Sequence, residues 1–520
     1  MTMTAAWLLA ISAVTMPQAD TIPLLIRNGT VYDGTGAEAV QTDIGIDGDQ
    51  IVFVGDADAE DMHGLREIDA SGLIVTPGFI DPHAHSAGAL ASDERGPREQ
   101  LNYLMQGVTT VVTGNDGGGT YEIAEARQEM ESPGIGTNAA LLVGFGSIRS
   151  DVMGSRDEAP TPTELERMKS MVDRAMQEGA VGMSTGLFYA PQSFSTTEEV
   201  IELAKVAASY GGTYDTHMRD ESSYSIGLLG AVGEALRVGR EADITVNISH
   251  IKALGVDVWG QSQQVIEMIR AARAQGQRVT ADQYPYEASG SSLNSSLLPR
   301  WAQAGGRDSL MARFEDPDTR ARLELDMINN LRRRNGPDAI LITGGDDESI
   351  RGMTLTQVAI ERRQDPLQAA IEIIKEGGAG IGSFNMNESD ITAFMAAEFV
   401  MTGSDGSGGH PRLYGAYPKK IRQYVLEEGV ISMARFVHAS SGQPAEAFGL
   451  EGRGKIEEGA FADIAVFDPE TITDRSTFLA PRELAVGMIY VIVNGELAVD
   501  GGEPTHTLSG RVLGRGRAIS

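Results

Sequence analysis

The chain has 520 residues, no cysteine, and a formal charge of −31 from 42 basic and 73 acidic residues. That charge excludes nucleic acid and anionic membrane surfaces as partners, because both are bound through a basic face. The absence of cysteine excludes disulfides, thiolate metal sites, iron–sulfur clusters and cysteine nucleophiles, so any metal must be held by His, Asp or Glu. A composition of 41% apolar and 22% charged residues describes a globular chain. Its length calls for more than one packed unit, although an α/β barrel can run long as one domain.

Residues 1–19, "MTMTAAWLLAISAVTMPQA", hold an apolar run from Ala5 to Val14. The run is too short to span a bilayer. It fits the apolar core of a cleavable signal, but no positive region precedes it. A signal implies a periplasmic or secreted protein. A packed or disordered extension implies a cytoplasmic one.

Next comes "LLIRNGTVYDGTG", Leu24 to Gly36, matched near the other end by "VIVNGELAVDGG", Val491 to Gly502. Each places Asn-Gly between β-rich runs, the pattern of a hairpin. "DIGIDGDQIVFVGD" follows the first and "ADIAVFDPE" precedes the second. The simplest reading is a small β-sandwich domain built from residues 20–78 and 455–505, with a large domain inserted at 79–454.

In that large domain β-rich runs alternate with helical ones. The runs are "GLIVTPGFIDPHAH", "GVTTVVTGND", "NAALLVGFGSIR", "AVGMSTGLFYAP", "GGTYDTHMRDE", "DITVNISHIKA", "QRVTADQYPY" and "EFVMTGSDG". Between the third and fourth, "TPTELERMKSMVDRAMQEG" puts Leu165, Met168, Val172 and Ala175 on one helical face. After the fourth, "STTEEVIELAKVAASYG" predicts a helix opened by a capping box of Ser195 and Glu198 and closed at Gly211. Eight strands alternating with helices predict an α/β fold, a (β/α)8 TIM barrel, with a doubly wound open sheet as the alternative. The stretch at about 288–345 is too long for a crossover and reads as an insertion at the barrel mouth, either a lid or a helical decoration.

Catalytic residues of such barrels sit at the C-terminal ends of the strands. The first run ends in His83-Ala84-His85, the second in Asn115-Asp116, the fifth in His217, the sixth in His250 and the eighth in Asp405. Four of the eight histidines thus converge on one mouth with two carboxylates. A lone strand-end histidine is more often structural, but this convergence points to a metal. His-x-His suits one because alternate residues of a strand point the same way. Imidazole and carboxylate without thiolate suit Zn, Mn, Fe or Ni, and zinc is the usual choice for hydrolysis. In "VVTGNDGGG" the glycines are not a P-loop, since no Lys-Ser or Lys-Thr comes after them.

The motifs "PGFIDPHAHS", "GMSTGLFYAP", "THMRDE", "ISHIKALG" and "GSDGSGGHPRLYGAYPK" resemble the amidohydrolase superfamily, and within it the N-acyl-D-amino-acid deacylases. The likeness extends over nearly the whole chain. It implies hydrolysis of N-acyl-D-amino acids to a carboxylate and a free D-amino acid, with Zn2+ (one or two ions, or another divalent metal) as cofactor. The partner implied is a small-molecule substrate carrying a carboxylate. His83 and His85 would form a first metal position and His217 and His250 a second. Asp405 would be general base and then acid. Lys252, Arg412 and Tyr284 would hold the substrate carboxylate, with Ser289 a further candidate.

One departure stands out. The family's second strand typically ends in a cysteine ligand, as "GNCG", where this chain has "GNDGG" and hence Asp116. Many other amidohydrolases bridge two metals through a carboxylated lysine. Here only Lys169 and Lys205 lie between the second and fifth strands, both in helical segments, so Asp116 is the expected anionic ligand. Arg219 and Glu221 are expected to orient His217 or to touch substrate. His410 reads as loop structure and His438 as a packed residue. Arg300 and Arg307 are candidates for contacting an acidic substrate side chain. The same metal chemistry would serve a dipeptidase or a cyclic-amide, hydantoinase-like hydrolase. A non-catalytic scaffold would have lost ligands or base, and this chain keeps both.

Overall fold

The computed structural model describes residues 21–516, so the expected signal at 1–19 lies outside the described residues. Among these, no helix is long and apolar enough to cross a membrane. Eight parallel strands form the central barrel: β1 (Phe79–Ala84), β2 (Val108–Thr113), β3 (Asn138–Gly144), β4 (Gly182–Gly186), β5 (Thr213–His217), β6 (Thr245–Ile248), β7 (Val279–Gln283) and β8 (Val400–Thr402). They pair in sequence order from β1 to β8. A parallel bridge between Ala84 and Gly406 brings the last strand back to the first. The open-sheet alternative is thereby set aside.

The helices α1 (Pro162–Gln177), α2 (Thr197–Ser209), α3 (Gly227–Ala242) and α4 (Ser262–Ala274) pack outside the strands. On α1, Met168, Val172 and Ala175 are fully buried and Leu165 partly so, as the periodicity predicts. Each large apolar side chain buried this way contributes about 1.5–3 kcal/mol. The cap of α2 differs from expectation. Thr196, not Ser195, is the N-cap and accepts from Glu199 N–H. Ser195 is already committed, its hydroxyl donating to Gln192 O at 2.7 Å, and Glu199 turns away to accept from Arg149 Nε.

Strands from both chain ends interleave in one nine-stranded sheet. Its buried face is an aliphatic cluster that includes Ile26, Ile44, Ile51, Ile464, Val466 and Ile492. The run "GLIVTPGFIDPHAH" is divided at Gly78. Ile74–Pro77 pairs within this outer sheet and Phe79–Ala84 begins the barrel. A side chain at Gly78 would run into Thr109, its Cβ 2.2 Å from Oγ1. The two Asn-Gly pairs part company. Asn494-Gly495 makes the expected hairpin between Met488–Val493 and Glu496–Asp500. Asn28-Gly29 makes none, and Thr21–Val31 continues through it as one strand with a bulge. Neighbouring strands hold both edges, and Asn28, at φ 59°, is fixed by bonds to Asp43 and Asp69.

Between β7 and β8 lies a compact unit with a three-stranded antiparallel sheet of Ala288–Ser292, Ile340–Gly345 and Ala379–Phe384. Helices including α5 (Pro317–Arg333) surround a separate apolar core. The inserted unit therefore runs past position 345 to Phe384. Its central strand is Ala379–Phe384, which no β-rich run marks in the sequence.

The loop after β2 is tightly packed. Gly114 has φ 92°, and a Cβ on Gly119 would lie 2.0 Å from Leu142 O. At Gly118 the nearest atom to a Cβ is 3.5 Å away. Gly119→Ala should therefore destabilise the protein by more than about 2 kcal/mol, and Gly118→Ala by less than about 0.5 kcal/mol. Melting midpoints of the two variants measured side by side check this.

Candidate metal centre and active site

Every sequence-predicted strand-end residue reaches the same point. Asp116 Oδ1 lies 3.5 Å from His83 Nε2, 3.6 Å from His217 Nδ1 and 3.6 Å from His250 Nε2. Its Oδ2 lies 3.7 Å from His85 Nε2. Asp405 Oδ1 stands 3.1 Å from His85 Nε2 and 3.7 Å from His83 Nε2. The ligand atoms fall into overlapping groups: His83, His85 and Asp116; Asp116, His217 and His250; and His83, His250 and Asp405. In each group the atoms lie within 4.8 Å of one another.

This donor set fits a divalent metal. His83 Nδ1 and Nε2, Asp116 Oδ1 and His217 Nδ1 are buried with no hydrogen-bond partner, an arrangement that is costly unless something else satisfies them. Two ligands each ~2.0–2.1 Å from a tetrahedral ion stand roughly 3.4 Å apart, close to the spacing observed around Asp116. Burial drives His83 well below the usual imidazole range, which keeps it in the neutral form that ligates. Burial would raise Asp116, but the imidazoles facing it, His217 foremost, hold it well below the usual carboxylate range. It is the anion at the centre. Lys169 and Lys205 pair instead with Glu166 and Glu202 on their own helices.

Three of these residues carry left-handed backbone: Asp116 at φ 57°, His250 at φ 35° and Asp405 at φ 47°. Such strain persists only where the surroundings over-determine it. Asp116 O accepts from Gln192 Nε2 at 2.9 Å, and Ser184 takes Gly117 N–H while donating to Gly114 O. Asp282 accepts from His250 N–H at 2.9 Å. Asp405 N–H donates to His83 O at 3.0 Å.

Beneath the ligands, polar side chains link the strands across the barrel. Asp81 accepts from the N–H groups of His83 and Ser404, joining first and last strands. Asp215 accepts from Asn115, Asn247 and Ser249, and Asn247 also donates to Asp282. Burial pushes all three carboxyls up. Motif reasoning misses this layer, although the sequence carries a signal for it. Asp81 and Asp215 each precede a strand-end histidine by two residues, the spacing that puts both on one face of a strand.

Arg219 and Glu221, neighbours in sequence, separate in function. Arg219 forks onto Glu234 of α3, away from the ligands. Glu221 Oε1 accepts from Lys252 Nζ at 2.6 Å and lies 3.0 Å from His250 Nδ1, and Oε2 is 3.8 Å from His217 Nε2. It is therefore placed to orient His250, with His217 beyond hydrogen-bond distance. Lys252 also lies 2.7 Å from His250 Nδ1. Arg412 is buried, its Nη1 2.7 Å from Asp405 Oδ2 and its guanidinium 4.4 Å over the Tyr284 ring. Burial would raise Asp405, but Arg412 and His250 hold it far below the usual carboxylate range. The Tyr284 hydroxyl has no partner, and Ser289 Oγ accepts from Asn385. His410 does more than shape its loop. Its Nδ1 accepts from Arg412 N–H, and its ring lies 3.0 Å, through Nε2, from Ala288 O. His438 contacts Gly34 O, outside this site. Above the ligands opens a cavity of about 310 Å³, bordered by Lys252, Tyr284, Ser289, Arg334 and Arg412 among others.

Fold and donor set together define a (β/α)8 barrel with a candidate metal centre at its C-terminal mouth. The chain belongs to the amidohydrolase family, whose model matches residues 66–499. It is 34% identical to the D-aminoacylase of Alcaligenes xylosoxydans xylosoxydans over 96% of this chain and 99% of that protein. It is 32% identical to the N-acyl-D-aspartate deacylase of the same organism, over 96% of each. The N-acyl-D-glutamate deacylase of Bordetella bronchiseptica, solved with zinc and a phosphonate inhibitor, superposes with a TM-score of 0.81 at 30% identity, covering 95% of this chain and all of that one.

Glu221→Gln should weaken metal affinity by about 10- to 100-fold with the fold unchanged, the cost of losing an orienting partner. Competition with a chelator, read beside circular dichroism, measures it.

Proposed function

We propose that the chain is a metal-dependent amide hydrolase that deacylates N-acyl-D-amino acids, using Zn2+ as one or two ions. The observation that carries this reading is the Asp116-centred ligand set with a second carboxylate, Asp405, beside His85. The named relatives, alike over nearly their whole length, give the substrate class. His83, His85, Asp116, His217 and His250 would hold the metal, with Asp116 as the anionic ligand facing histidines through both oxygens. A metal bound there would supply Lewis acidity, which polarises a carbonyl and lowers the pKa of bound water to ~7.

The chain's own groups do the rest. Asp405, kept ionised by Arg412, takes a proton from water as its oxygen bonds to the amide carbon. The carbon–nitrogen bond then breaks, and Asp405 returns the proton to the departing nitrogen. The products are a carboxylate and a free D-amino acid. Lys252, Arg412 and Tyr284, with Ser289 beside them, form the polar wall that takes the substrate's α-carboxylate and so sets the amide in line. The substrate is small, and the acidic surface disfavours nucleic acid and anionic membranes. We also read residues 20–78 with 455–505 as one outer domain and 79–454 as the catalytic one, with the protein periplasmic or secreted if residues 1–19 are a cleaved signal.

Asp405→Asn should lower kcat by about 10²- to 10⁴-fold while metal content stays at the wild-type level. Metal analysis and turnover of N-acetyl-D-methionine on the same preparation check both halves. A panel adding N-acetyl-L-methionine, dipeptides and a hydantoin should show activity chiefly on the N-acyl-D-amino acids.

A further inference from the structure

The inserted unit delivers two cations that form no ion pair among the described residues. α5 ends in Arg332, Arg333 and Arg334. Arg332 forks onto Asp257 at the surface, and Arg333 donates to Ser223 and Asn330. Arg334 turns inward, 2% exposed, and borders the cavity above the metal ligands. Its Nε donates to the Tyr224 hydroxyl at 2.7 Å, but its Nη1 is buried without a partner. Arg300 lies close by, its guanidinium 3.7 Å over the Phe188 ring and 5.8 Å from the Tyr224 ring. It donates from Nη1 to Ser295 O, and its Nη2 is also buried and unpartnered. Burial lowers its pKa to about 10.

Among the described residues no carboxylate oxygen lies within 4.0 Å of either guanidinium. The acids in the adjoining loop are committed elsewhere. Asp220 accepts from the N–H groups of Ser222, Ser225 and Gly227, and Glu221 serves Lys252 and His250. A buried cation with no counter-charge is costly, and it is kept where a ligand brings the anion. Arg307, the other sequence candidate, is exposed and donates to Lys375 O, so it drops out.

The two positive poles border the same cavity through different neighbours. Arg412 adjoins Asp405 and Tyr284. Arg334 is reached from His217 through Phe188, 5.7 Å from that imidazole, and Tyr224, 5.3 Å from Phe188. We propose that the cavity takes a doubly carboxylated N-acyl-D-amino acid, its α-carboxylate at the Lys252–Arg412 pole and its second carboxylate on Arg334, with Arg300 reinforcing the field. The inference rests on the deacylase reading and names its substrate class. The second carboxylate can belong to the side chain, as in an acidic D-amino acid, or to the acyl group, as in a succinyl amide.

The test compares kcat/KM of the metal-loaded, full-length enzyme on N-acetyl-D-glutamate, N-succinyl-D-leucine and N-acetyl-D-leucine. We expect one of the two dicarboxylates to exceed N-acetyl-D-leucine by about tenfold or more, and which one identifies the source of the charge. Arg334→Gln should bring that ratio towards unity, and Arg334→Lys should restore part of it. N-acetyl-D-leucine equal to or better than both dicarboxylates would overturn the proposal, and this comparison needs no variant to fold. A preference that survives in folded Arg334→Gln would overturn it too. No turnover of any of the three would instead remove the deacylase reading. Calorimetric binding of the same three compounds to Asp405→Asn would then still decide between one carboxylate and two, with tighter binding of a dicarboxylate supporting the pocket and equal binding contradicting it.

Discussion

One carboxylate oxygen, Asp116 Oδ1, faces three imidazoles that arrive from three strands of the barrel, at 3.5, 3.6 and 3.6 Å. None of these contacts is a good hydrogen bond, and Asp116 Oδ1 finds no partner at all within the protein. Three strand ends are therefore shaped to receive a positive charge. Without that charge the arrangement leaves buried polar atoms desolvated, and with it the same atoms become a coordination shell. The strained backbone of Asp116, His250 and Asp405 has the same origin. Each must aim its side chain inward just past the end of a strand, and its backbone is held there by accepting from Gln192 or by donating to Asp282 or to His83 O.

Around that centre the barrel and the inserted unit divide the work. The barrel supplies the candidate metal ligands, Asp405 and the polar layer of Asp81, Asp215 and Asp282 that links the strand ends. The inserted unit has its own apolar core, so it can vary without disturbing the barrel. It contributes much of the cavity wall, including Arg334 and the Ser289–Ser292 strand. The candidate metal ligands and much of the cavity wall are thus carried by separately packed parts of one chain. This accords with barrels in which function changes through the loops at the C-terminal strand ends.

The same division separates the legible features of the sequence from the hidden ones. The barrel and the convergence of its strand-end histidines could be read because strand, helix and strand-end histidine recur with short periods. Asp116 stood out as the expected anionic ligand because the chain has no cysteine. Features that depend on distant partners were not legible. Asn28-Gly29 has a hairpin's residues, but strands on both sides turn it into a bulge. Ser195 and Glu198 form a local capping pattern, but Ser195 closes the preceding turn and the cap moves on to Thr196. The reach of the inserted unit to Phe384 was hidden because its central strand, "AGIGSF", lacks the β-branched run that marks the others. Arg334 is one of three consecutive arginines, and only the direction in which α5 ends sets it apart from its neighbours.

The direct test of a metal-centred site is where the metal sits. Crystals grown with zinc and measured at the zinc absorption edge would give an anomalous peak whose distance to Asp116 can be read without assuming any role for it. An Asp116-centred shell predicts a peak about 2.0–2.2 Å from an Asp116 carboxylate oxygen, with imidazole nitrogens completing the coordination. Zinc held by histidines alone, with both Asp116 oxygens beyond about 3 Å, outside any ligand distance, would contradict it.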